Sequence, residues 1–372
     1  MKYISAKSAR ISRVSSHKLT LRNVLEREKE SNISGGIYHK LQIDLTYNSN
    51  HIEGGRLSYD QTRCIFETNT ILASDVAVNT DDIVETANHF KCVDMVIDEA
   101  GRQLSEKMIK ELHRVLKNGI SDSRKGWFAV GEYKRIPNEV GGRETTLPEK
   151  VSDEMKALLR SYNLKKEITL EDILEFHARF ERIHPFQDGN GRIGRLILLK
   201  ECLKNDIVPF IITDGNKMFY YRGLNEWDNE RGYLRDTCLS AQDDFKEIMT
   251  NDGDFAFRMS HPKFELTKTY RALVAGELSE ARCSKLRNGV DIGGFVTSKA
   301  KVEIVKASKR STVVDITIHE GKNRQVRKMF AAVGNKVQEL QRIAIGDIHL
   351  GRLKEGTYRK LTREEIEYLK NC

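Results

Sequence analysis

The sequence predicts a mainly α helical core carrying a β-hairpin, followed by a smaller α+β domain. Three observations lead there. Several stretches before residue 249 repeat apolar residues at helical spacing. Beyond Met249 the apolar residues alternate with period two, as in Val302-Glu303-Ile304-Val305 and Val313-Val314-Asp315-Ile316-Thr317-Ile318. Charge divides the chain at the same place. Residues 251–372 hold 24 lysines and arginines against 15 acidic residues, about +9, which leaves about −1 on the first 250 residues of a chain whose net charge is +8. With 372 residues, 39% of them hydrophobic, two domains can each build a core.

From Met1 to Leu25 there is no acidic residue, and Ser, Lys and Arg are frequent, so residues 1–29 read as a basic tail rather than an organelle transit peptide. Ile37, Leu41, Leu45 and Ile52 carry a helical period that Gly54-Gly55 stops. Ser49 and Glu53 stand one turn apart on it, by chemistry alone an ordinary polar pair. Thr80 to Val115 reads as two helices on which Asn88, His89 and His113 are structural. Phe128–Thr146 breaks the helical pattern: Gly126 just before it and Gly131, Pro137, Asn138, Gly141 and Gly142 within it punctuate short extended runs, which suggests a hairpin; a plain surface loop is the alternative.

Ile173, Phe176, His177, Phe180 and Ile183 make Glu171–Ile183 an amphipathic helix that Pro185 ends. Ile193, Leu196 and Ile197 start a second helix near Arg192. Further on, Ile207–Ile212 is short and apolar, and Lys217–Leu224 and Gly232–Ile248 look helical.

Between the two central helices lies His184-Pro185-Phe186-Gln187-Asp188-Gly189-Asn190-Gly191-Arg192-Ile193-Gly194-Arg195, the stretch where the chemistry concentrates. Gly189 and Gly191 let a ligand approach the backbone, and the helix that follows offers free N–H groups and the positive end of its dipole to an anion. Arg192 and Arg195, three residues apart on one face, add forks suited to phosphate oxygens. Asp188 is a hard oxygen ligand of the kind that holds magnesium on phosphates. His184 can accept a proton near neutral pH. Together they describe transfer of a phosphate-containing group to a nucleophile. A Walker A loop is excluded, because no Gly-Lys-Ser/Thr follows the glycines.

These twelve residues resemble the signature of the Fic family, His-Pro-Phe-x-Asp/Glu-Gly-Asn-Gly-Arg-x-x-Arg, at every defined position. The resemblance implies a Fic-type helical core over about residues 30–249, and an adenylyltransferase that moves AMP from ATP, with Mg2+, to a Ser, Thr or Tyr hydroxyl of a target protein. It implies His184 as base, Asp188 on magnesium, Gly189, Asn190, Gly191 and Arg192 on phosphate, and Arg195 on the γ-phosphate. Some relatives move phosphate or phosphocholine instead, or remove AMP, and the motif does not separate these. Tyr220 and Tyr221 match a pair that in the family helps enclose adenine, although tyrosines at such spacing also serve as core. Asp228 stands near where some relatives carry asparagine against the base. The family's hairpin, or flap, lies over the active site and pairs with the target as an added strand; Gly131-Glu132-Tyr133-Lys134-Arg135 resembles its approach.

Thr46-Tyr47-Asn48-Ser49-Asn50-His51-Ile52-Glu53-Gly54 resembles the family's inhibitory helix, Ser/Thr-x-x-x-Glu-Gly/Asn, here about residues 40–54. In relatives bearing it before the core, the glutamate pairs with the second arginine of the signature. Glu53 is therefore expected on Arg195, where a carboxylate removes the γ-phosphate's partner and sets negative charge in its place.

Residues 250–372 resemble the C-terminal half of RsuA-type pseudouridine synthases through Thr250-Asn251-Asp252-Gly253-Asp254-Phe255, Lys268-Thr269-Tyr270, the run Ile318–Phe330, Arg342 to Gly351, and Leu361-Thr362. The resemblance implies Tyr270 in a uridine pocket and Lys322, Arg324 and Arg327 toward RNA. The family's nucleophilic aspartate sits in Gly-Arg-Leu-Asp before the Thr-Asn-Asp-Gly run, a place filled here by Leu239–Met249. Without that aspartate the isomerisation has no nucleophile, so this part reads as a fragment whose apolar strand faces need cover. Ribosomal RNA pseudouridine synthesis, or RNA binding alone, is the rival function.

No run of about eighteen apolar residues exists, and no secretory signal is evident. Six scattered cysteines without Cys-x-x-Cys fit reduced thiols in the cytoplasm and argue against zinc.

Overall fold

A computed structural model describes residues 20–31, 34–72, 77–248, 267–320, 325–352 and 361–371. The expected order of a helical core and then a sheet domain is what it shows. The core comprises α1 (Leu21–Glu30), α2 (Ile37–Ile52), α3 (Tyr59–Thr68), α4 (Thr80–Asp98), α5 (Glu106–Leu116), α6 (Pro148–Asn163), α7 (Leu170–Ile183), α8 (Asn190–Lys204), α9 (Asp214–Asn225) and α10 (Gly232–Ile248). Between α5 and α6 lies the hairpin β1 (Glu139–Val140) and β2 (Arg143–Glu144).

The sequence suggested that α8 buries one face. In the structure it is buried nearly all round, from Asn190 to Leu203. The three basic side chains that mask this in the sequence, Arg192, Arg195 and Lys200, are each about 5% exposed or less, which their partners make tolerable. The Lys200 ammonium, for instance, donates to Glu201 Oε1 at 2.6 Å. α7 packs alongside α8, and α2, α4 and α5 complete its surroundings. The core helix therefore delivers its N-terminus, with the loop before it, to the surface as a rigid unit.

Local signals place the ends. Thr169 caps α7 by accepting from Asp172 N, whose carboxylate reaches back to Thr169 N. Glu53 ends α2, and Gly54 then turns the chain at φ +92°. The expected hairpin exists but its strands are two residues each, closed by Gly141 and Gly142, both at positive φ.

The C-terminal sheet contains β3 (Lys268–Ala275), β4 (Lys301–Ala307), β5 (Ser311–Ile318), β6 (Val337–Ile345) and β7 (Ile348–His349), all antiparallel in the order β4-β5-β3-β6-β7. α11 (Glu280–Asn288), α12 (Gln325–Ala332) and α13 (Arg363–Asn371) accompany it. Cys283 and Leu286 of α11 and Val326, Met329 and Phe330 of α12 join Ala272, Val274, Val314 and Ile316 in a separate apolar core. The strand faces expected to lack cover thus find it in α11 and α12. What stays open is the edge strand β4, where Ile304 and Val305 are exposed. Among the described residues no helix is long and apolar enough to cross a membrane.

Candidate functional site

The six-residue loop between α7 and α8 folds tightly. His184 itself closes α7 in the left-handed region, φ +50°, with its N–H on Phe180 O at 2.9 Å. Gly189 follows at φ +83° and leads into α8. A Cβ there would lie 2.9 Å from Lys117 Cε, so glycine is required both by conformation and by space.

Asn190, expected on phosphate, is turned inward. Its Oδ1 accepts from Phe186 N at 2.8 Å and its Nδ2 donates to Phe186 O at 2.8 Å. Its carboxamide shapes the loop instead. His113 supports the loop from below: its ring stacks on Phe186 at 4.0 Å, accepts from Gly131 N at Nδ1 (2.9 Å), and so carries its proton on Nε2, which donates to Asp188 O at 3.1 Å. Burial lowers its pKa to about 3, which keeps it neutral. His89, on Thr46 Oγ1 at 2.9 Å, is likewise neutral through burial. The structural reading of both histidines stands.

His184 Nδ1 lies 3.4 Å from Glu181 O. A carbonyl only accepts, so the proton sits on Nδ1 and Nε2 keeps its lone pair. Burial first, then the Lys134 charge, lowers the imidazole to about 4. The base form is thus the one present at neutral pH.

Glu53 and Arg195 meet as expected, with Glu53 Oε1 2.7 Å from Arg195 Nη2. Arg195 also donates through Nε to Ser49 Oγ at 3.0 Å and through Nη2 to Ser49 O at 2.9 Å. Burial works to raise the Glu53 carboxyl, but Arg195 prevails and holds it below its ordinary value. The Glu53 carboxylate also abuts Gly191, where a Cβ would collide with it. It therefore occupies the N-terminus of α8, the place that favours an anion.

Asp188 is half-exposed and pairs with Lys117; Arg192 Nη2 lies 3.5 Å from the same carboxylate oxygen. Burial opposes ionisation, yet Lys117 and then Arg192 hold this carboxyl well below the usual range. Glu85 pairs with both Lys117 and Arg192, closing a network of four charges. Glu85 and Lys117 were not found from the sequence. They stand on α4 and just past α5, in no motif, and look there like ordinary helix charges. Glu53, Gly54, Asp82, Glu85, Asp188 and Arg192 line part of a cleft of about 170 Å³, room for a hydrated cation or a phosphate group. Arg192 Nε and Arg195 Nη1 are buried donors with no hydrogen-bond partner among the described residues. The half-exposed Asp188 carboxylate and the unspent guanidinium donors suit magnesium shared with a polyphosphate.

Tyr220, expected against adenine, is a core residue, 1% exposed, with its hydroxyl 2.5 Å from His177 Nε2. His177 is correspondingly packing, as read. Tyr221 is half-buried beside Lys217, whose ammonium caps α2 at Ile52 O (2.8 Å). Asp228 pairs with Arg182.

The hairpin is tied to the same loop. Lys134 N donates to Pro185 O at 2.9 Å, and Asn138 Nδ2 to Phe186 O at 3.1 Å. Lys134 Nζ donates to Asn138 Oδ1 at 2.7 Å, Thr145 Oγ1 at 2.5 Å and Ile183 O at 3.3 Å. Burial lowers this ammonium to about 8.

In the C-terminal domain Tyr270 is on β3 and Arg327 on α12. Lys322, Arg324 and the Thr250–Phe255 run lie outside the described residues.

Comparison with known proteins divides the chain in the same way. Residues 103–202 match the Fic/DOC family and residues 248–332 match RNA pseudouridylate synthase. An uncharacterized RNA pseudouridine synthase of Aquifex aeolicus is 37% identical over 122 residues, 33% of this chain and 49% of that protein. Ribosomal large subunit pseudouridine synthase B of Bacillus subtilis is 39% identical over 125 residues, 33% and 51% respectively. The chain spans about half the length of these curated relatives. A crystal structure of a Fic domain containing signaling protein from Bacteroides thetaiotaomicron is similar at 26% identity with a TM-score of 0.50, covering 64% of this chain and 95% of that one.

Proposed function

We propose that this chain, which carries a Fic domain, transfers AMP from magnesium ATP to a Ser, Thr or Tyr hydroxyl of a target protein, and that Glu53 holds the activity down. The observation that carries the reading is the Glu53 carboxylate on Arg195, seated beside Gly191 at the N-terminus of α8. An anion already rests in the cradle, and the His184 imidazole, which feels the Glu53 and Asp188 charges, is kept neutral by burial. A carboxylate there does for Arg195 what a γ-phosphate oxygen would do, and excludes it.

With Glu53 displaced, Arg195, Arg192 and the Gly189 and Gly191 amides take phosphate oxygens. Asp188 would hold magnesium, which would neutralise charge on the polyphosphate. His184 Nε2 takes the proton of the target hydroxyl as its oxygen bonds to the α-phosphorus. The bond from that phosphorus to the bridging oxygen breaks, and pyrophosphate leaves. The hairpin, anchored to the loop through Lys134 and Asn138, is where the target's backbone would lie. The catalytic unit is about residues 21–249, wider than the expected 30–249 because α1, read from the sequence as part of a basic tail, packs Leu21 and Leu25 into the helical core.

The test is labelled ATP with magnesium on wild type, Glu53→Gly, and Glu53→Gly combined with His184→Ala. Label on protein that appears with Glu53→Gly and disappears with His184→Ala supports the reading. No label on Glu53→Gly overturns it.

A second reading concerns residues 250–372. Their charge of about +9 and their match to RNA pseudouridylate synthase support RNA binding, with Tyr270 and Arg327 on the binding face.

A further inference from the structure

α10 belongs to the helical core and touches the C-terminal domain through charged side chains. Its apolar stripe, Leu234, Cys238, Ala241 and Phe245, is buried in the helical core. Asp236 and Asp243, seven residues apart and so on one face two turns along, meet the C-terminal domain instead. Asp236 Oδ2 lies 2.7 Å from Arg327 Nε, with only 15% and 13% of the two side chains exposed. Asp243 pairs with Arg342 of β6. Outside them, Lys336 Nζ is 3.8 Å from Glu230 Oε2.

Neither arginine hangs freely. Arg327 also donates to Val337 O at 3.1 Å, which fixes its fork between α12 and β6. Arg342 stands between Asp243 and the Tyr270 hydroxyl; burial works against its charge, and the two oxygens more than restore it. Guanidinium groups removed from water in this way are costly unless paired, so the carboxylates of α10 are part of what makes the face stable. The same forks suit the oxygens of a phosphodiester. One guanidinium cannot serve a carboxylate and a phosphate in the same geometry.

We propose that α10 is a built-in competitor for RNA, its Asp236 and Asp243 carboxylates holding the two arginines through which the C-terminal domain takes a phosphodiester strand. RNA and the outer face of α10 then exclude one another, and binding opens the seam between the domains. The proposal rests on the second reading above, and goes beyond it in saying what keeps that face closed. Tyr270, the register partner of Arg342, stands beside the same ion pair.

The test is fluorescence anisotropy of a uridine-containing single-stranded RNA with the full chain, wild type against the double variant Asp236→Asn, Asp243→Asn. The variant is expected to bind at least ten-fold more tightly, with self-labelling from ATP unchanged. Equal affinity overturns the competition while leaving RNA binding in place. Absence of binding by both proteins overturns RNA binding and the proposal with it. Should the variant fold poorly, amide exchange in the wild-type chain decides: RNA is expected to speed exchange in residues 232–245, and unchanged or slower exchange there overturns the proposal.

Discussion

The Glu53 carboxylate holds the Arg195 guanidinium at 2.7 Å, across 142 residues of sequence, and does so at the N-terminus of the most buried helix in the core. A negative group fixed a few ångströms from an incoming triphosphate costs on the order of 4 kcal/mol at an effective dielectric near 20, less what solvent screens from a side chain that is 27% exposed. Glu53→Gln keeps the volume and removes the charge. It is expected to raise self-labelling with AMP by ~10- to 100-fold at fixed magnesium ATP. An unchanged labelling rate would show that the contact is structural only.

The same pair has a signature in acid. Arg195 holds the folded-state pKa of Glu53 below its unfolded value, so the stabilisation is present above the unfolded carboxyl value and is lost as pH falls through the folded one. Wild type should therefore lose more thermal stability than Glu53→Gln between pH 5 and about pH 3. Parallel melting curves in that range would contradict it.

His184 titrates near 4 in the folded chain because burial and Lys134 both disfavour its charge. The neutral base is then fully present at neutral pH. The transfer rate of Glu53→Gln should be flat from pH 6 to 8 and fall only on the acid side, as pH drops toward about 4. His184→Ala removes both the activity and this limb. An acid limb centred above pH 6 would mean that the imidazole is less desolvated than its surroundings imply.

The sequence made the site's local geometry legible because the signature packs a helix stop, a turn and a helix start into twelve consecutive residues. Glu53 was legible only through the resemblance of residues 46–54 to an inhibitory helix, since by spacing alone Ser49 and Glu53 are an ordinary polar pair. The sequence did not show which way Asn190 and Tyr220 point: their polar groups meet Phe186 and His177 inside the fold, the core role that the sequence already allowed for Tyr220. Side-chain direction is settled by tertiary partners, and spacing does not carry it. Glu85 and Lys117 stayed invisible for a related reason: they reach Arg192 and Asp188 across 107 and 71 residues, and ion pairs formed at such range leave no period. In the sheet domain, strict alternation marked β5, which is buried at every second residue, whereas β4 alternates in sequence yet is exposed nearly throughout because it is an edge.

Lys117, 1% exposed, sits between Glu85 and Asp188 as an internal cation. Magnesium on Asp188 has to displace or share that ammonium. Lys117→Met leaves Glu85 and the half-exposed Asp188 to share Arg192, so the two carboxylates repel with one cation fewer between them. The variant should melt lower than wild type in chelator and regain part of the loss as magnesium is added, while wild type responds less. Equal magnesium responses would place the metal away from Asp188.

Lys134 links the hairpin to the base. Its ammonium holds Asn138, Thr145 and the Ile183 carbonyl without a carboxylate among these three partners, and burial already brings it down to about 8. Lys134→Met removes a positive charge that disfavours the imidazolium, so the His184 pKa should rise, and the acid limb of the Glu53→Gln rate should move upward by a measurable fraction of a pH unit. The same change removes the tie from Asn138 and Thr145 to the Ile183 carbonyl and loosens the strand on which a target would pair, so KM for a protein target should rise while nucleotide binding stays as it was. A merely structural lysine would lower the yield of folded protein and leave both the limb and the KM of the folded fraction unmoved.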